Sequence, residues 1–147
     1  MKNILALIDF SDSSSQVVDK ACEMAKNYGA KCWLIHVASP NPEFVGYEIG
    51  PQYIRDSRAD ELKQEHEQLQ FHKKILIDRG VDCEALLIQG PINETIAQEI
   101  KKLEADLVVA GSHGRSRLYD LLVGSVAEYL IKNIDVPILL IPQKGTK

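Results

Sequence analysis

Apolar residues along this chain fall into short, nearly continuous runs that are separated by longer segments of helical spacing. The runs cover residues 3–9, 31–37, 83–89, 106–110 and 138–141. A continuous apolar run of this length is typical of a strand that is covered on both faces, as in a parallel sheet. Because the intervening segments have the spacing of amphipathic helices, the pattern predicts a parallel α/β sheet with helices on both faces.

Serine, glycine and proline positions mark the ends of the four predicted helices. The first follows a stretch with several possible N-caps, 11–14, and ends at Gly29. The second is predicted from about residue 56 to residue 79, with a charged face that suits a surface helix. The third begins at Pro91, whose missing amide suits a first helical turn, and Pro137 breaks the chain after the fourth.

Each predicted helix has an inward face of apolar positions. In chain order these are Val17, Val18, Ala21, Ala25 and Tyr28; Leu62, Leu69 and Leu76; Ile92, Ile96, Ala97, Ile100 and Leu103; and Val126, Ala127, Leu130 and Ile131. The segment 39–56 has prolines and glycines among apolar residues and is predicted to be an irregular packed loop. With a loose polar tail at 143–147, residues 1–147 are predicted to form one domain.

Composition narrows the class of protein further. The 147 residues are 45% apolar and 26% charged, with a formal net charge of −4 and no basic stripe, which disfavours a nucleic-acid partner. There is no signal-peptide pattern and no apolar run of membrane-spanning length, so we expect a cytoplasmic protein with no membrane segment. Cys22, Cys32 and Cys83 lie in or beside apolar patterns and are predicted to be small buried residues rather than disulfide partners or metal ligands.

A glycine-punctuated segment follows the fourth predicted strand and leads into the fourth helix. It contains Gly111, Gly114 and Gly124, with Ser125 next. Glycine can take positive φ and lets a backbone approach a ligand closely, and the first amides of a helix have no partners within the helix. The segment is therefore predicted to bind an anion such as phosphate. Ser125 either donates its hydroxyl to that phosphate or caps the helix.

Three charged or titratable side chains accompany these glycines. Arg115 and Arg117 are candidates to pair with phosphate oxygens, and Arg115 is the better one because it lies beside Gly114. His113 is interpreted as a hydrogen-bonding or solvated residue, since the sequence places no second residue to orient it or to activate water. There is no P-loop lysine motif and no nucleophile elbow. We therefore assign no catalytic residues and no protein ligands to a metal.

The remaining histidines carry no predicted role in the site. His36 is assigned to the second strand. His66 and His72 are assigned to an exposed helix face, and their separation of six does not stack them for a metal ion.

The spacing of Gly111, Gly114 and Gly124-Ser125 resembles the nucleotide-binding motif in the ATP-binding branch of the universal stress protein family. The resemblance extends to Asp9-Phe10-Ser11, to His36-Val37 and to 136–139. It implies a Rossmann-like sandwich, similar to the adenine nucleotide alpha hydrolases, with strand order 3-2-1-4-5. That order also follows if the ligand-like features after strands one and four are neighbours. The implied ligand is ATP, ADP or AMP, with Mg²⁺ carried by the phosphates.

The resemblance also implies which residues bind the nucleotide and how the protein assembles. The implied nucleotide-binding residues are Ile8, Asp9, Val37, Gly111, His113, Gly114, Arg115, Gly124, Ser125 and Val126. Asp9 either contacts the ligand or serves as a turn carboxylate for the next helix, and position favours the ligand. The backbone of Val37 is implied to contact the adenine edge. Strand 137–142 is implied to join two copies in a homodimer, which suits a bare apolar sheet edge.

Three functions fit these observations and are ranked in this order. The first is a nucleotide-loaded module that acts in stress response or signalling through a change of state on binding. The second is a slow nucleotide hydrolase or phosphotransferase, assisted by His113 or Asp9. The third is a partner-binding domain without nucleotide, which the intact glycines disfavour.

Overall fold

The computed structural model describes residues 1–11, 13–38, 52–112 and 124–142, without the side chains of 52–57. Within these residues, strands and helices alternate. The elements are β1 (Asn3–Leu7), α1 (Ser14–Tyr28), β2 (Lys31–Ala38), α2 (Gln52–Asp78), β3 (Cys83–Gln89), α3 (Ile92–Lys102), β4 (Leu107–Gly111), α4 (Ser125–Asn133) and β5 (Ile138–Ile141).

The five described strands form one parallel sheet in the order β3-β2-β1-β4-β5. This order confirms the expected topology. β1 is central, and its Leu5 lies in register with Trp33 of β2 and with Val108 of β4. The chain winds outward from β1 to β3 and then crosses back to β4, so the winding direction reverses between β1 and β4.

Side chains alternate across β1 and divide the interior into two apolar cores. Ile4 and Ala6 belong to the core under α1 and α2, and Leu5 belongs to the core under α3 and α4; all three are fully buried. Fully burying an aliphatic side chain contributes about 1.5–3 kcal/mol. The helices therefore cover both faces of the sheet, as predicted, and the apolar strand runs are explained by burial on two sides.

Three of the predicted inward residues are exposed. Tyr28 is the last residue of α1 and Ile92 the first of α3, and their relative exposures are 54% and 37%. Ile131 is 56% exposed although Leu130 beside it is fully buried. Each residue of a helix is rotated by about 100° from the one before it, and in α4 this rotation turns Ile131 away from the covered side on which Leu130 lies.

Helix α2 begins earlier than the sequence pattern predicted. The irregular loop was expected over 39–56, but residues 52–56 are already helical. Residues 52–79 contain no glycine or proline. The helix can therefore extend toward the N-terminus as far as Gln52, the residue after Pro51. Residues 39–51 and the tail 143–147 lie outside the described residues.

All three cysteines are buried and reduced, which confirms their prediction as small core residues. Cys32 and Cys83 are register partners in β2 and β3. A hydrogen bond between these thiols, followed by burial, raises the pKa of Cys32 above its ordinary value. Separately, no helix in the described part of the chain is long and apolar enough to cross a membrane.

Candidate functional site

A cavity of about 370 Å³ opens at the carboxyl ends of β1, β2 and β4. The winding direction reverses here, and open α/β sheets bind their ligands at such a point. The predicted site residues that line the cavity are Ile8, Asp9, Val37, Gly111, Ser125 and Val126. His113, Gly114 and Arg115, together with Arg117, lie outside the described residues.

The two ends of the glycine-rich segment meet beside this cavity. Gly124 N–H donates to Ser112 O at 2.6 Å. Sequence predicted that the Gly124 amide would face the ligand, but in this structure that amide closes the loop and Gly124 does not line the cavity. Ser112 lines the cavity instead, from the residue after β4.

The start of α4 presents main-chain amides to the cavity. The N-cap is Gly124, with no side-chain cap hydrogen bond, so Ser125 is the first helical residue and does not cap the helix. The first amide bonded within the helix is that of Glu128, which donates to Gly124 O at 2.9 Å. The amides of Ser125, Val126 and Ala127 precede it, and these residues line the cavity. The helix dipole adds about half a positive charge there, which favours an anion.

The two described glycines of the glycine-rich segment, Gly111 and Gly124, do not adopt positive φ. Gly111 is the last residue of β4, and Gly124 has φ −70° and ψ 163°, which are extended values. Among the described glycines, Gly29 and Gly80 adopt positive φ; they follow α1 and α2, and neither lines the cavity. Gly111 and Gly124 therefore do not turn the chain into the left-handed region.

The left-handed residue near the cavity is Phe10, with φ 61°. This conformation costs a non-glycine residue about 1–2 kcal/mol and turns the chain between β1 and α1. Strand β1 ends at Leu7, two residues before the predicted end at Asp9. The turn carries Asp9 past the strand to the cavity wall.

The Asp9 carboxylate serves the turn and borders the cavity at the same time. Its Oδ1 accepts hydrogen bonds from Ser11 N–H at 2.9 Å and from Ser14 Oγ–H at 3.1 Å. The two interpretations of Asp9 are therefore compatible, because one carboxylate offers about four lone-pair positions on two oxygens. The turn bonds fix its orientation.

His36 is a buried site residue that the sequence did not single out. Its Nδ1 lies 2.6 Å from Ile8 O, and because a carbonyl only accepts, Nδ1 carries the proton. Its Nε2 contacts the Glu65 carboxylate. The ring also packs on Phe10, with ring centroids 4.6 Å apart. His36 thus links β2, the turn after β1 and helix α2.

Helix α2 supplies two charged residues that sequence reasoning missed. Arg58 and Glu65 both line the cavity, and Arg58 forms an ion pair with Glu61 at 3.0 Å. The one sequence feature that could have indicated a site here is His36, a polar residue inside an otherwise mostly apolar strand. No local pattern indicates which charged residues of a 27-residue helix lie over that histidine.

The main chain of Val37 points toward the cavity side of β2. Ile8 N–H donates to Ile35 O at 2.8 Å, so Ile35 directs its main-chain groups toward β1. Alternate residues of a strand point the same way, so Val37 N–H and C=O also face this side. On the opposite side, Ala38 O accepts from Gly90 N–H at 3.1 Å.

A doubly wound α/β domain with a cavity at its switch point, bordered by the first residues of α4, is the class of protein that this fold and site define. The family model of the universal stress protein family matches residues 1–142. The chain belongs to that family.

Relatives and solved structures agree with this assignment over nearly the full chain. A universal stress protein of Methanocaldococcus jannaschii is 35% identical over 142 residues, which cover 95% of this chain and 81% of that protein. The structure of a second protein of that organism has a TM-score of 0.79 at 25% identity and covers 99% of this chain and 98% of its own.

Two further solved structures were obtained with adenine nucleotides. A universal stress protein in complex with cAMP has a TM-score of 0.71 at 20% identity, with 96% of each chain covered. A family member of Arabidopsis thaliana with AMP bound has a TM-score of 0.66 at 21% identity, with 99% of this chain and 93% of that chain covered. At these identities the likeness shows a shared fold.

Proposed function

We propose that this protein binds an adenine nucleotide in the cavity at the switch point, as ATP, ADP or AMP. The proposal is supported by three kinds of group on the wall of one cavity: main-chain amides at a helix start, the main chain of a strand end and a carboxylate. The leading amides of α4 form one end, and the Val37 main chain and the Asp9 carboxylate lie at the ends of β2 and β1. Phosphate, base and ribose require these three kinds of partner.

The charges of the walls favour one orientation of the nucleotide. The α4 dipole attracts phosphate and the Asp9 carboxylate repels it, whereas the α2 charges Arg58 and Glu65 are engaged with Glu61 and His36. Phosphates therefore lie against Ser125 and Val126, and Asp9 accepts hydrogen bonds from ribose hydroxyls. In this orientation the base lies beside Val37. Adenine presents an acceptor, N1, next to a donor, the 6-amino group, and these complement the N–H and C=O of one residue.

The family neighbours crystallised with AMP and with cAMP support an adenine ligand with at least one phosphate. Residues of 113–123, which include Gly114, Arg115 and His113, are proposed to bind further phosphates of ATP, with Mg²⁺ carried by the phosphate oxygens. The proposed role is that of a cytoplasmic module in stress response or signalling, whose loaded and empty states differ in their affinity for a partner.

Replacing Ser125 by proline tests the phosphate end of this proposal. Proline is favoured at the first position of a helix and requires an extended residue before it, which Gly124 is. Ser125→Pro therefore removes one cavity-lining amide while preserving α4. Ser125→Ala is the matched control, because it removes the hydroxyl and keeps the amide.

Isothermal titration with AMP, and with ATP in the presence of Mg²⁺, is the measurement. We expect affinity of the proline variant to be about tenfold below that of the alanine variant, since a hydrogen bond to a charged group contributes about 1.5–3 kcal/mol. Equal affinities of the two variants would show that the Ser125 amide does not bind phosphate. No binding by the wild-type protein at millimolar concentrations would contradict the proposed function itself.

A homodimer joined through 137–142 is also part of the proposal. β5 is the outer strand of the described sheet, and its four residues, Ile138–Ile141, are apolar and half-buried in the single chain. An outer strand of this composition favours pairing with a second copy.

A further inference from the structure

The ladder between β1 and β2 stops at a defined hydrogen bond. In a parallel ladder each bonded residue of β2 donates to the residue before its β1 partner, as Lys31 N–H donates to Lys2 O at 2.8 Å. The last registered pair is Leu7 with Ile35. The next donation would run from Val37 N–H to Ile8 O. Within the described residues that bond is not formed.

A side chain occupies the acceptor that this bond would use. The Nδ1–H of His36 donates to Ile8 O at 2.6 Å. The imidazole therefore takes the position of the next main-chain donor of its own strand. Ile8 O is bonded to the neighbouring ring and, within the described residues, accepts no bond from Val37 N–H, which remains directed at the cavity.

We propose that His36 is a positioning residue for base recognition: by bonding Ile8 O, it ends the β1–β2 ladder before Val37 and keeps the Val37 amide available to the adenine ring. Glu65 is the second positioning residue, because its carboxylate on Nε2 fixes the ring with Nδ1 toward Ile8. Phe10 packs on the same ring from the turn. This inference rests on the proposed function and assigns the source of its base specificity.

The arrangement has a specific chemical consequence. The N–H and C=O of Val37 form a donor–acceptor pair on one residue, and this pair complements N1 and the 6-amino group of adenine. Hypoxanthine presents a donor and an acceptor in the opposite order and is rejected by the same pair. Loss of His36 should therefore weaken binding of the base and leave binding of ribose and phosphate nearly unchanged.

The test compares AMP, IMP and ribose 5-phosphate on His36 variants of the full chain. His36→Asn places an amide donor where Nδ1 lies and keeps the bond to Ile8 O. His36→Gln extends toward Glu65 instead, and His36→Leu has no donor. His66→Leu, on the exposed face of α2, is the control for loss of a histidine.

We expect the glutamine and leucine variants to bind AMP at least about tenfold more weakly, as loss of one or two hydrogen bonds implies. Their affinity for ribose 5-phosphate should change by less than about threefold, and their preference for AMP over IMP should fall. The asparagine variant and His66→Leu should retain the wild-type preference. Equal losses for AMP and ribose 5-phosphate would overturn the proposal, since they indicate a role in folding alone.

Hydrogen exchange at the Val37 amide gives a readout without nucleotide. Exchange should slow in His36→Leu and His36→Gln, because Val37 N–H can then bond to Ile8 O, and should stay fast in His36→Asn. Unchanged exchange in all variants would overturn the positioning role even if AMP binds. Failure of the wild-type protein to bind AMP would instead contradict the proposed function, while exchange still decides whether His36 interrupts the ladder.

Discussion

Single residues in this protein serve the fold and the site together. Asp9 orients the turn after β1 through Ser11 and Ser14, and it also borders the cavity. His36 holds Ile8, Glu65 and Phe10 around one ring. The sequence pattern left two alternative roles for Asp9 and assigned no site role to His36, because Ile8 and Glu65, which contact His36, lie far from it along the chain.

Asp106 shows how such side-chain bonds make stability depend on pH. Its Oδ2 accepts from Lys2 N–H at 2.7 Å and from Asn3 N–H at 3.0 Å. These main-chain bonds, the Lys2 bond first, hold the pKa of Asp106 below its ordinary value. A depressed pKa in the folded state stabilises the fold above the ordinary carboxyl pKa, and this contribution is lost as pH falls through the depressed value.

We predict that Asp106→Asn melts below the wild-type protein at neutral pH and that the difference shrinks on acidification below about pH 4, the ordinary carboxyl range. Thermal melts between neutral and strongly acidic pH are the measurement. Asp60→Asn, on the exposed face of α2, controls for the loss of one negative charge. A difference that grows as pH falls would show that the Lys2 and Asn3 bonds do not depend on the ionised carboxylate.

At the scale of elements, apolar periodicity predicted every strand and helix that the structure describes. It was less accurate about which residues a helix buries and where it begins. Ile131 and Tyr28 fit the apolar pattern but face solvent, and α2 begins at Gln52 rather than near residue 56. Periodicity defines an apolar face, whereas the neighbouring elements decide how much of that face is covered.

Helix α4 provides a direct comparison of a buried and an exposed residue. Leu130 is fully buried and Ile131 is 56% exposed. We predict that Leu130→Ala lowers the free energy of unfolding by about 2–5 kcal/mol, through lost burial and a cavity. Ile131→Ala should change it by less than about 0.5 kcal/mol.

Urea unfolding followed by circular dichroism measures both changes. Because the two residues are neighbours on one helix, each variant serves as the control for the other. Similar losses in the two variants would show that Ile131 is also covered, for example by a second copy of the chain.

At the scale of the whole molecule, the site exists only where distant segments meet. The cavity wall combines residues from Leu7 to Ala127, contributed by the ends of three strands and by α2, α3 and α4. The outer strand β5 lies next to β4, whose carboxyl end lines the cavity. The proposed nucleotide site and the proposed dimer edge are therefore separated by one strand.

The proposed dimer predicts the effect of one proline. Val108 N–H donates to Pro137 O and Ser112 N–H donates to Ile141 O, so these alternate residues of β5 face β4 and Leu140 directs its main chain outward. Leu140→Pro removes an outward N–H that β4 does not use, and proline is tolerated on edge strands. We expect this variant to be monomeric where the wild-type protein is dimeric.

Sedimentation velocity at about 20 μM, a concentration suited to a moderate interface, distinguishes the two states. Leu140→Ala removes most of the side chain but keeps the N–H, and it should remain dimeric. A dimeric proline variant would place the interface elsewhere, and a monomeric wild-type protein would contradict the dimer.

Sequence by itself determined the fold class, the helix and strand succession and the glycine-rich segment after β4, because periodicity and turn chemistry are local properties of the chain. Family resemblance implied the strand order, which the sheet has, and six of the residues that it implied for the nucleotide site line the cavity. Only the tertiary structure decided that Gly124 N–H closes a loop and that Glu65 of α2 contacts His36 of β2. These contacts join residues whose separation along the chain gives no information about distance in space, and packing of the helices on the sheet determines them.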